Sequence, residues 1–180
     1  MQWHDTPTGY GVTTRLLHGL LAILVLAMYA LALIIDQYAE DDPNRGYVVG
    51  LHASTGILTL LTAITLLIWR WYNPKPSLAL LPLWQQRFAR LTHGLLYLCV
   101  IAQPISGIIM TLASGHTLKL YGLPILSSLS KNKSLAGAAA GLHGLLPWLL
   151  LLLLSLHIGA ALYHYFIMRD NILQRMLGRG

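Results

Sequence analysis

Four long stretches of this chain contain no Asp, Glu, Lys or Arg. They are residues 16–35, 46–69, 91–118 and 134–168. Each is at least as long as the ~20 residues that an α-helix needs to cross ~30 Å of hydrocarbon. Only 10% of all residues are charged, against about 25% in an ordinary soluble domain. We therefore predict an all-α integral membrane protein, a four-helix bundle that forms a single domain over residues 1–180.

The predicted membrane helices cover about residues 15–36, 47–71, 90–112 and 142–167. The first helix follows Arg15 and in this respect resembles a signal peptide. However, the apolar core of a signal peptide has only about 7–15 residues, whereas this apolar run extends from residue 16 to residue 35. We therefore expect a helix that is retained in the membrane.

The distribution of basic residues predicts the orientation of the bundle. If both termini are cytoplasmic, the termini and the central loop carry eight of the twelve Lys and Arg residues, and the two outer connections carry four. Cytoplasmic segments normally hold the Lys and Arg surplus, so we predict that both termini face the cytoplasm. The net charge of +6 then reflects membrane topology, and we expect no nucleic-acid partner.

Four histidines lie within the apolar stretches: His18, His52, His143 and His157. Imidazole is costly in hydrocarbon, so such residues are expected to have a function and a partner. His18 falls near the inner end of the first helix, and His52 near the outer end of the second. His143 and His157 are about 21 Å apart along the fourth helix and within about 40° of each other in angle. His52 and His143 can therefore meet in an outer layer, and His18 and His157 in an inner layer.

Two imidazoles on facing helices can hold a haem iron from both sides, inside a bundle where such cofactor sites are built. Because both axial positions are then filled, the iron would transfer single electrons and would not bind O₂. Cys99 is the only cysteine, which excludes a thiolate-bound cluster and the C-x-x-C-H attachment of c-type haem. Any haem in this chain is therefore held without covalent bonds.

Other interpretations of the histidines remain open at this point. Each histidine alone can form a hydrogen-bonded contact between helices. His93 and His164 lie near the inner interface, and either can replace His18 or His157 as a ligand. His93 can equally be a polar anchor at the interface.

Short motifs surround these histidines. In the first three helices they are Thr14-Arg15-Leu16-Leu17-His18, Leu51-His52-Ala53-Ser54-Thr55-Gly56, Arg90-Leu91-Thr92-His93-Gly94-Leu95-Leu96-Tyr97 and Pro104-Ile105-Ser106-Gly107. In the fourth they are Leu142-His143, Leu156-His157-Ile158-Gly159-Ala160-Ala161-Leu162-Tyr163-His164 and Arg169-Asp170-Asn171. In order and spacing they resemble the prokaryotic cytochrome b561 family, four-helix dihaem membrane cytochromes of which some are superoxide oxidases. The resemblance places the haem ligands on the four histidines selected by depth, and leaves His93 as a matched position that is not an axial ligand.

The resemblance implies two b-type haems and a multi-pass protein of a bacterial inner membrane. Two positions depart from the family pattern. Gly19 stands where the family usually has Trp, so we expect different packing around the inner haem. Tyr165 follows His164, where the family often has a second His.

The resemblance also implies a reaction, in which superoxide is oxidised to O₂ at the outer side and ubiquinone is reduced in the membrane. His164 and Arg169 are the candidate quinone-binding residues. The third connection, about residues 113–140, contains Lys119, Lys131 and Lys133, whose positive potential would attract the anionic substrate. Acidic residues of the first connection, on the same side, work against this attraction; they are Asp36, Glu40, Asp41 and Asp42. The alternative function is a haem-bearing electron-transfer subunit that links quinone to a partner oxidoreductase.

Overall fold

A computed structural model describes residues 2–77 and 81–178. Within them lie four long helices: α1 (Val12–Ile35), α2 (Pro43–Tyr72), α3 (Leu83–Ala113) and α4 (Lys133–Tyr163). A hairpin of β1 (Leu118–Leu120) and β2 (Leu123–Leu126) separates α3 from α4, and a π-helical turn (His164–Met168) and the short helix α5 (Ile172–Leu177) follow α4. All four long helices are long and apolar enough to cross a membrane. The predicted all-helical membrane fold is confirmed, with the small hairpin as an addition.

Polar residues set the starts of two of these helices. Asp42 precedes α2, where its side chain accepts a 2.8 Å hydrogen bond from the Asn44 N–H and Pro43 occupies the first helical position. Asn132 precedes α4 and accepts a 3.0 Å bond from the Leu135 N–H. Both arrangements satisfy amide groups that the helix itself leaves unpaired. The connection between α3 and α4 therefore ends at Asn132, earlier than the sequence suggested.

The N-terminal segment is folded against the beginning of α1 and the end of α2. The buried Asp5 carboxylate accepts hydrogen bonds from the Gly11 N–H at 2.7 Å and the Thr14 hydroxyl at 2.9 Å. The Trp69 indole N–H donates to the same Thr14 oxygen at 3.0 Å, and the exposed His4 ring stacks on Trp69. This network fixes the relative positions of the two helix ends. Arg179, one of the basic residues used to predict orientation, lies outside the described residues.

Each long helix packs mainly against the helix next to it in the chain. α1 packs on α2, α2 on α3, and α3 most extensively on α4, whereas α1 and α4 have little backbone contact. One link between α1 and α4 is a 2.7 Å hydrogen bond that the Tyr29 hydroxyl donates to the Pro147 carbonyl. The buried core includes Val25, Cys99 and Leu150. Leu150 is seven residues from both His143 and His157, so this core lies between the two histidine layers.

The β-hairpin packs against the outer part of α2. Tyr121 and Gly122 form its turn with positive φ values of 47° and 89°, the backbone geometry that tight two-residue hairpins require. The Tyr121 N–H donates a 2.9 Å hydrogen bond to the Ser54 hydroxyl, and Leu118 is buried. Ser54 is two residues from His52, so the hairpin is attached at the level of the outer histidine layer.

Candidate haem site

The helices bring the four histidines together as two pairs. His52 is the tenth residue of α2 and His143 the eleventh of α4, and their ring centroids are 6.3 Å apart. His18 is the seventh residue of α1 and His157 the seventh from the end of α4, with ring centroids 6.2 Å apart. The parallel pair α2 and α4 and the antiparallel pair α1 and α4 thus each place two imidazoles at one depth.

The separation within each pair fits a metal ion held between the rings. A metal–imidazole bond is about 2.0–2.1 Å long, so two imidazoles on opposite sides of one metal have ring centroids roughly 6 Å apart. Both observed separations match this distance. Among the described residues, no three His, Cys, Asp or Glu side chains converge as a metal site made of protein alone would need. A haem iron needs only two protein ligands, because the macrocycle supplies the other four.

Both rings of the outer pair line one cavity. Its volume is about 230 Å³, and all four long helices line it. Val25, Met28, Val100 and Leu150 contribute apolar walls, and Gly56 of α2 also faces the cavity. A mainly apolar cavity that two imidazoles line is an environment suited to a buried macrocycle.

The hydrogen bonds of His143 assign its tautomer. Its Nδ1 lies 3.1 Å from both the Ser106 Oγ and the Gln103 carbonyl oxygen. Ser106 donates its own proton to that carbonyl at 2.7 Å, so both neighbours of Nδ1 can only accept. The proton of neutral His143 is therefore on Nδ1, and Nε2 is the nitrogen available to a metal.

His52 differs from His143 in its surroundings. Its Nδ1 is buried and has no hydrogen-bond partner among residues 2–77 and 81–178. A buried polar nitrogen without a partner is costly, a cost that His143 Nδ1 does not carry. The outer pair thus combines one ring held by hydrogen bonds and one ring without them.

His93 belongs to the inner layer as a third imidazole. Its ring centroid is 5.1 Å from that of His157, closer than the His18 ring. His93 Nδ1 lies 2.6 Å from the Ala89 carbonyl oxygen, which can only accept, so Nδ1 carries the proton and Nε2 is the unprotonated nitrogen. His93 thus lies next to the inner pair. On ring distance alone, either His18 or His93 could share a metal ion with His157.

Arg70 is a cation that the sequence analysis did not associate with this layer. Its guanidinium lies over the Tyr10 ring, 5.3 Å from the centroid. The neighbouring Trp69 donates a hydrogen bond to Thr14, about one helical turn before His18, so Arg70 lies at the same end of the bundle as the inner layer. In the sequence, only its position at the inner end of an apolar run could have indicated that Arg70 lies near the inner layer. A carboxylate bound at the inner layer would find its counter-ion here.

The quinone candidates lie just beyond α4, where the helix changes to a π-helical turn. His164 begins this turn, and its Nδ1 is 2.5 Å from the Asp170 carboxylate. The other Asp170 oxygen accepts the Ile172 N–H at 3.0 Å. Arg169 is exposed and has a left-handed backbone, with φ of 52°, and this reversal brings Asp170 back onto His164. Single π-helical turns of this kind are frequent at functional sites.

The basic side chains of the outer connection are exposed. Lys119 lies on β1, Lys131 packs over Gly115 beside the end of α3, and Lys133 begins α4. Asp36 also lines the outer cavity, from the α1 side. Opposite charges therefore flank the outer layer, with the negative charge at the end of α1 and the positive charges on the hairpin side.

Sequence reasoning missed the roles of two residues that orient these imidazoles. Gln103, which contacts His143, was not named, and Asp170, which contacts His164, appeared only within the Arg169-Asp170-Asn171 motif. Two prolines could have served as a partial signal, because Pro104 and Pro147 interrupt the backbone hydrogen bonds of α3 and α4. The groups freed in this way need partners from a neighbouring helix.

Known proteins similar to this chain include cytochromes b561. The chain is 33% identical to cytochrome b561 homolog 2 of Escherichia coli over 99% of its own length and 96% of that protein. It is 26% identical to cytochrome b561 homolog 1 of the same organism, over 94% and 97% of the two chains. A probable superoxide oxidase, CybB of Yersinia pestis, is 33% identical over 71% of this chain and 73% of that protein.

The family model for prokaryotic cytochrome b561 matches residues 9–179, which include all four long helices and both histidine pairs. A cytochrome of this kind implies b-type haem, for which the paired imidazoles are suitable ligands. The chain therefore belongs to the prokaryotic cytochrome b561 family and is a multi-pass membrane haem protein of electron transport.

Proposed function

We propose that this protein is a superoxide:ubiquinone oxidoreductase with two b-type haems. His52 and His143 hold the outer haem, and His18 and His157 hold the inner one. The observation that carries this proposal is the separation of the paired rings, 6.3 Å and 6.2 Å, at two depths of one bundle. Bound haem would supply single-electron transfer between those depths.

The overall reaction balances with two electrons per turnover. Two superoxide ions each lose one electron and leave as O₂. One ubiquinone takes up both electrons and two protons and becomes ubiquinol. With both termini in the cytoplasm of a bacterial inner membrane, the protons come from the inner side, and the residues at that end of α4 can deliver them.

His164 is the group we propose for proton delivery to the quinone. Its Nδ1 is held by Asp170, so Nε2 is left to face a quinone oxygen, and the side chain is only 12% exposed. Arg169 is exposed beside it and supplies positive charge for a reduced quinone. A histidine oriented by a carboxylate is a common arrangement for general acid–base chemistry.

The outer face must attract an anion for this reaction to be fast. Lys119, Lys131 and Lys133 are exposed around the hairpin and the start of α4, and clustered positive charge raises the encounter rate of an anionic substrate. The hairpin is attached to α2 beside His52 through Ser54. This attachment supports a role for these lysines beside the proposed electron entry.

The test uses the purified, haem-loaded protein in lipid nanodiscs. Haem per chain is measured as pyridine haemochrome, and superoxide pulses are then given anaerobically with a short-chain ubiquinone present. We expect two haems per chain, rapid haem reduction by superoxide, and one ubiquinol formed for every two superoxide ions consumed. The rate should exceed that of spontaneous dismutation.

Other outcomes would contradict the proposal in distinct ways. Two haems without reduction by superoxide, together with a larger redox subunit that co-purifies, would indicate the alternative, an electron-transfer subunit. One haem per chain would mean that one of the two proposed ligand pairs is wrong. A protein without haem would exclude the proposed ligand pairs altogether.

A further inference from the structure

His143 is held by α3 at both its ring and its backbone. Pro147 lacks the N–H that would normally bond the His143 carbonyl, four residues earlier in α4. The Gln103 side-chain amide replaces this donor, with a 3.1 Å hydrogen bond to the His143 carbonyl. The Gln103 backbone carbonyl accepts from the His143 ring. One residue of α3 thus contacts both ends of the proposed ligand.

Ser106 adds a second acceptor for the same ring proton. Its hydroxyl is buried, donates to the Gln103 carbonyl at 2.7 Å and lies 3.1 Å from His143 Nδ1. The His143 N–H is therefore shared between two oxygens. The Ser106 hydroxyl does not point toward solvent, so water cannot replace it without a change in packing.

The two imidazoles of the outer pair are not equivalent in this respect. His143 has two acceptors at Nδ1, whereas His52 Nδ1 has none among the described residues. An acceptor on the far nitrogen of a metal-bound histidine orients the ring and makes it a more basic ligand. A more basic ligand stabilises the oxidised iron and lowers its reduction potential.

We propose that Ser106 and Gln103 are positioning residues that set the reduction potential of the outer haem through His143. This inference rests on the proposed ligation of that haem by His52 and His143. Because the contacts involve α3 and the outer layer alone, they act on one haem and leave the inner one unchanged. Ser106 and Gln103 thus act on the potential of the outer haem alone.

The test is a potentiometric titration of the haem-loaded protein, followed by optical spectra, for the wild type and for Ser106→Ala. We expect the titration to resolve two haems, and one of the two midpoints to move to a more positive potential in the variant. The low-spin electron paramagnetic resonance signal of the same haem should change as well. Ser106→Cys, which has nearly the same size and a weaker acceptor, should show a smaller shift in the same direction.

Thr111→Val is the matched control. Thr111 lies on the same helix, and its hydroxyl donates to the Gly107 carbonyl at 2.9 Å in the same side-chain-to-backbone manner. This substitution should leave both midpoints in place. A second control combines Ser106→Ala with His18→Ala, so that the outer haem titrates alone and the shifted midpoint is assigned to it directly.

The possible failures are distinguishable. If the wild type binds two haems and Ser106→Ala moves neither midpoint or both equally, the inference is wrong while the proposed ligation stands. If the shift persists in the variant that lacks the inner haem, the inference is supported. If the wild type lacks a haem that depends on His52, the proposed function fails first. If Ser106→Ala loses the outer haem, Ser106→Cys becomes the test. The inference then requires that the midpoint potential of the outer haem be more positive in Ser106→Cys than in the wild type.

Discussion

Gly107 of α3 lies directly against the imidazole of His143 in α4. A Cβ at position 107 would come within 2.9 Å of His143 Cε1 and 3.2 Å of Nδ1, closer than carbon atoms approach without displacement. We expect Gly107→Ala to move the ring and weaken binding of the outer haem by about 10–100-fold, the usual effect of disturbing the support of a metal ligand. Haem per chain should fall from about two toward one. Gly94→Ala on the same helix, where a Cβ meets nothing within 4 Å, is the control and should retain both haems.

The four proposed ligands can be tested one by one through haem content. We expect His52→Ala and His143→Ala each to remove one haem, and His18→Ala and His157→Ala each to remove the other, because a single remaining imidazole holds haem poorly. His93→Ala should retain both haems, although its ring is closer to His157 than the His18 ring is. Haemochrome assays of purified protein measure this. Loss of a haem in His93→Ala with retention in His18→Ala would reassign the inner ligand.

Replacement of Asp170 should impair the quinone step and leave haem binding unchanged. Asp170→Asn removes the carboxylate that lies 2.5 Å from His164 Nδ1, so the ring loses its orientation and its charged partner. General acid–base groups contribute about 10²–10⁴-fold, and we expect ubiquinol formation to slow at least 10-fold. Stopped-flow spectra should show unchanged haem reduction by superoxide but slower reoxidation by quinone. Equal slowing of both steps would argue against a role confined to the quinone.

The charge of the outer connection should control the rate of superoxide capture. Simultaneous replacement of Lys119, Lys131 and Lys133 by Gln removes three exposed cations, and we expect capture to slow by about 10-fold with a weaker dependence on ionic strength. Pulse radiolysis at several salt concentrations measures both quantities. Asp36→Asn, at the opposite side of the outer cavity, should speed capture. A rate that none of these substitutions changes would mean that superoxide does not enter at this face.

The N-terminal network should contribute to stability and not to haem chemistry. Asp5→Ala leaves the Gly11 N–H and the buried Thr14 hydroxyl without their shared acceptor. An unsatisfied buried partner costs about 1–3 kcal/mol, so the unfolding temperature in detergent should fall while the haem spectrum is unchanged. Asp41→Ala, at an exposed position, provides the comparison and should leave the unfolding temperature where it is.

The sequence was sufficient to predict the helices and the depth of the histidines. Helical rise is constant, so His52 and His143 could be assigned to one layer and His18 and His157 to another before any packing was known. The rotation of each helix about its axis was not predictable, and this rotation decides that His93 also faces His157. The contact between Gln103 and His143 depends on the register of α3 against α4, which local sequence does not specify. The hairpin was missed because its strands are only three and four residues long.

The weak contact between α1 and α4 has a consequence for biosynthesis. Of the four long helices, α4 is the last along the chain, and on the proposed ligation it contributes one ligand to each haem. Neither haem can then have both of its histidine ligands until α4 has been translated and inserted into the membrane. Haem would accordingly bind late, to a chain whose other three helices are already inserted. A shortage of haem would leave full-length protein in which contacts such as the Tyr29–Pro147 hydrogen bond alone link the first and last helices.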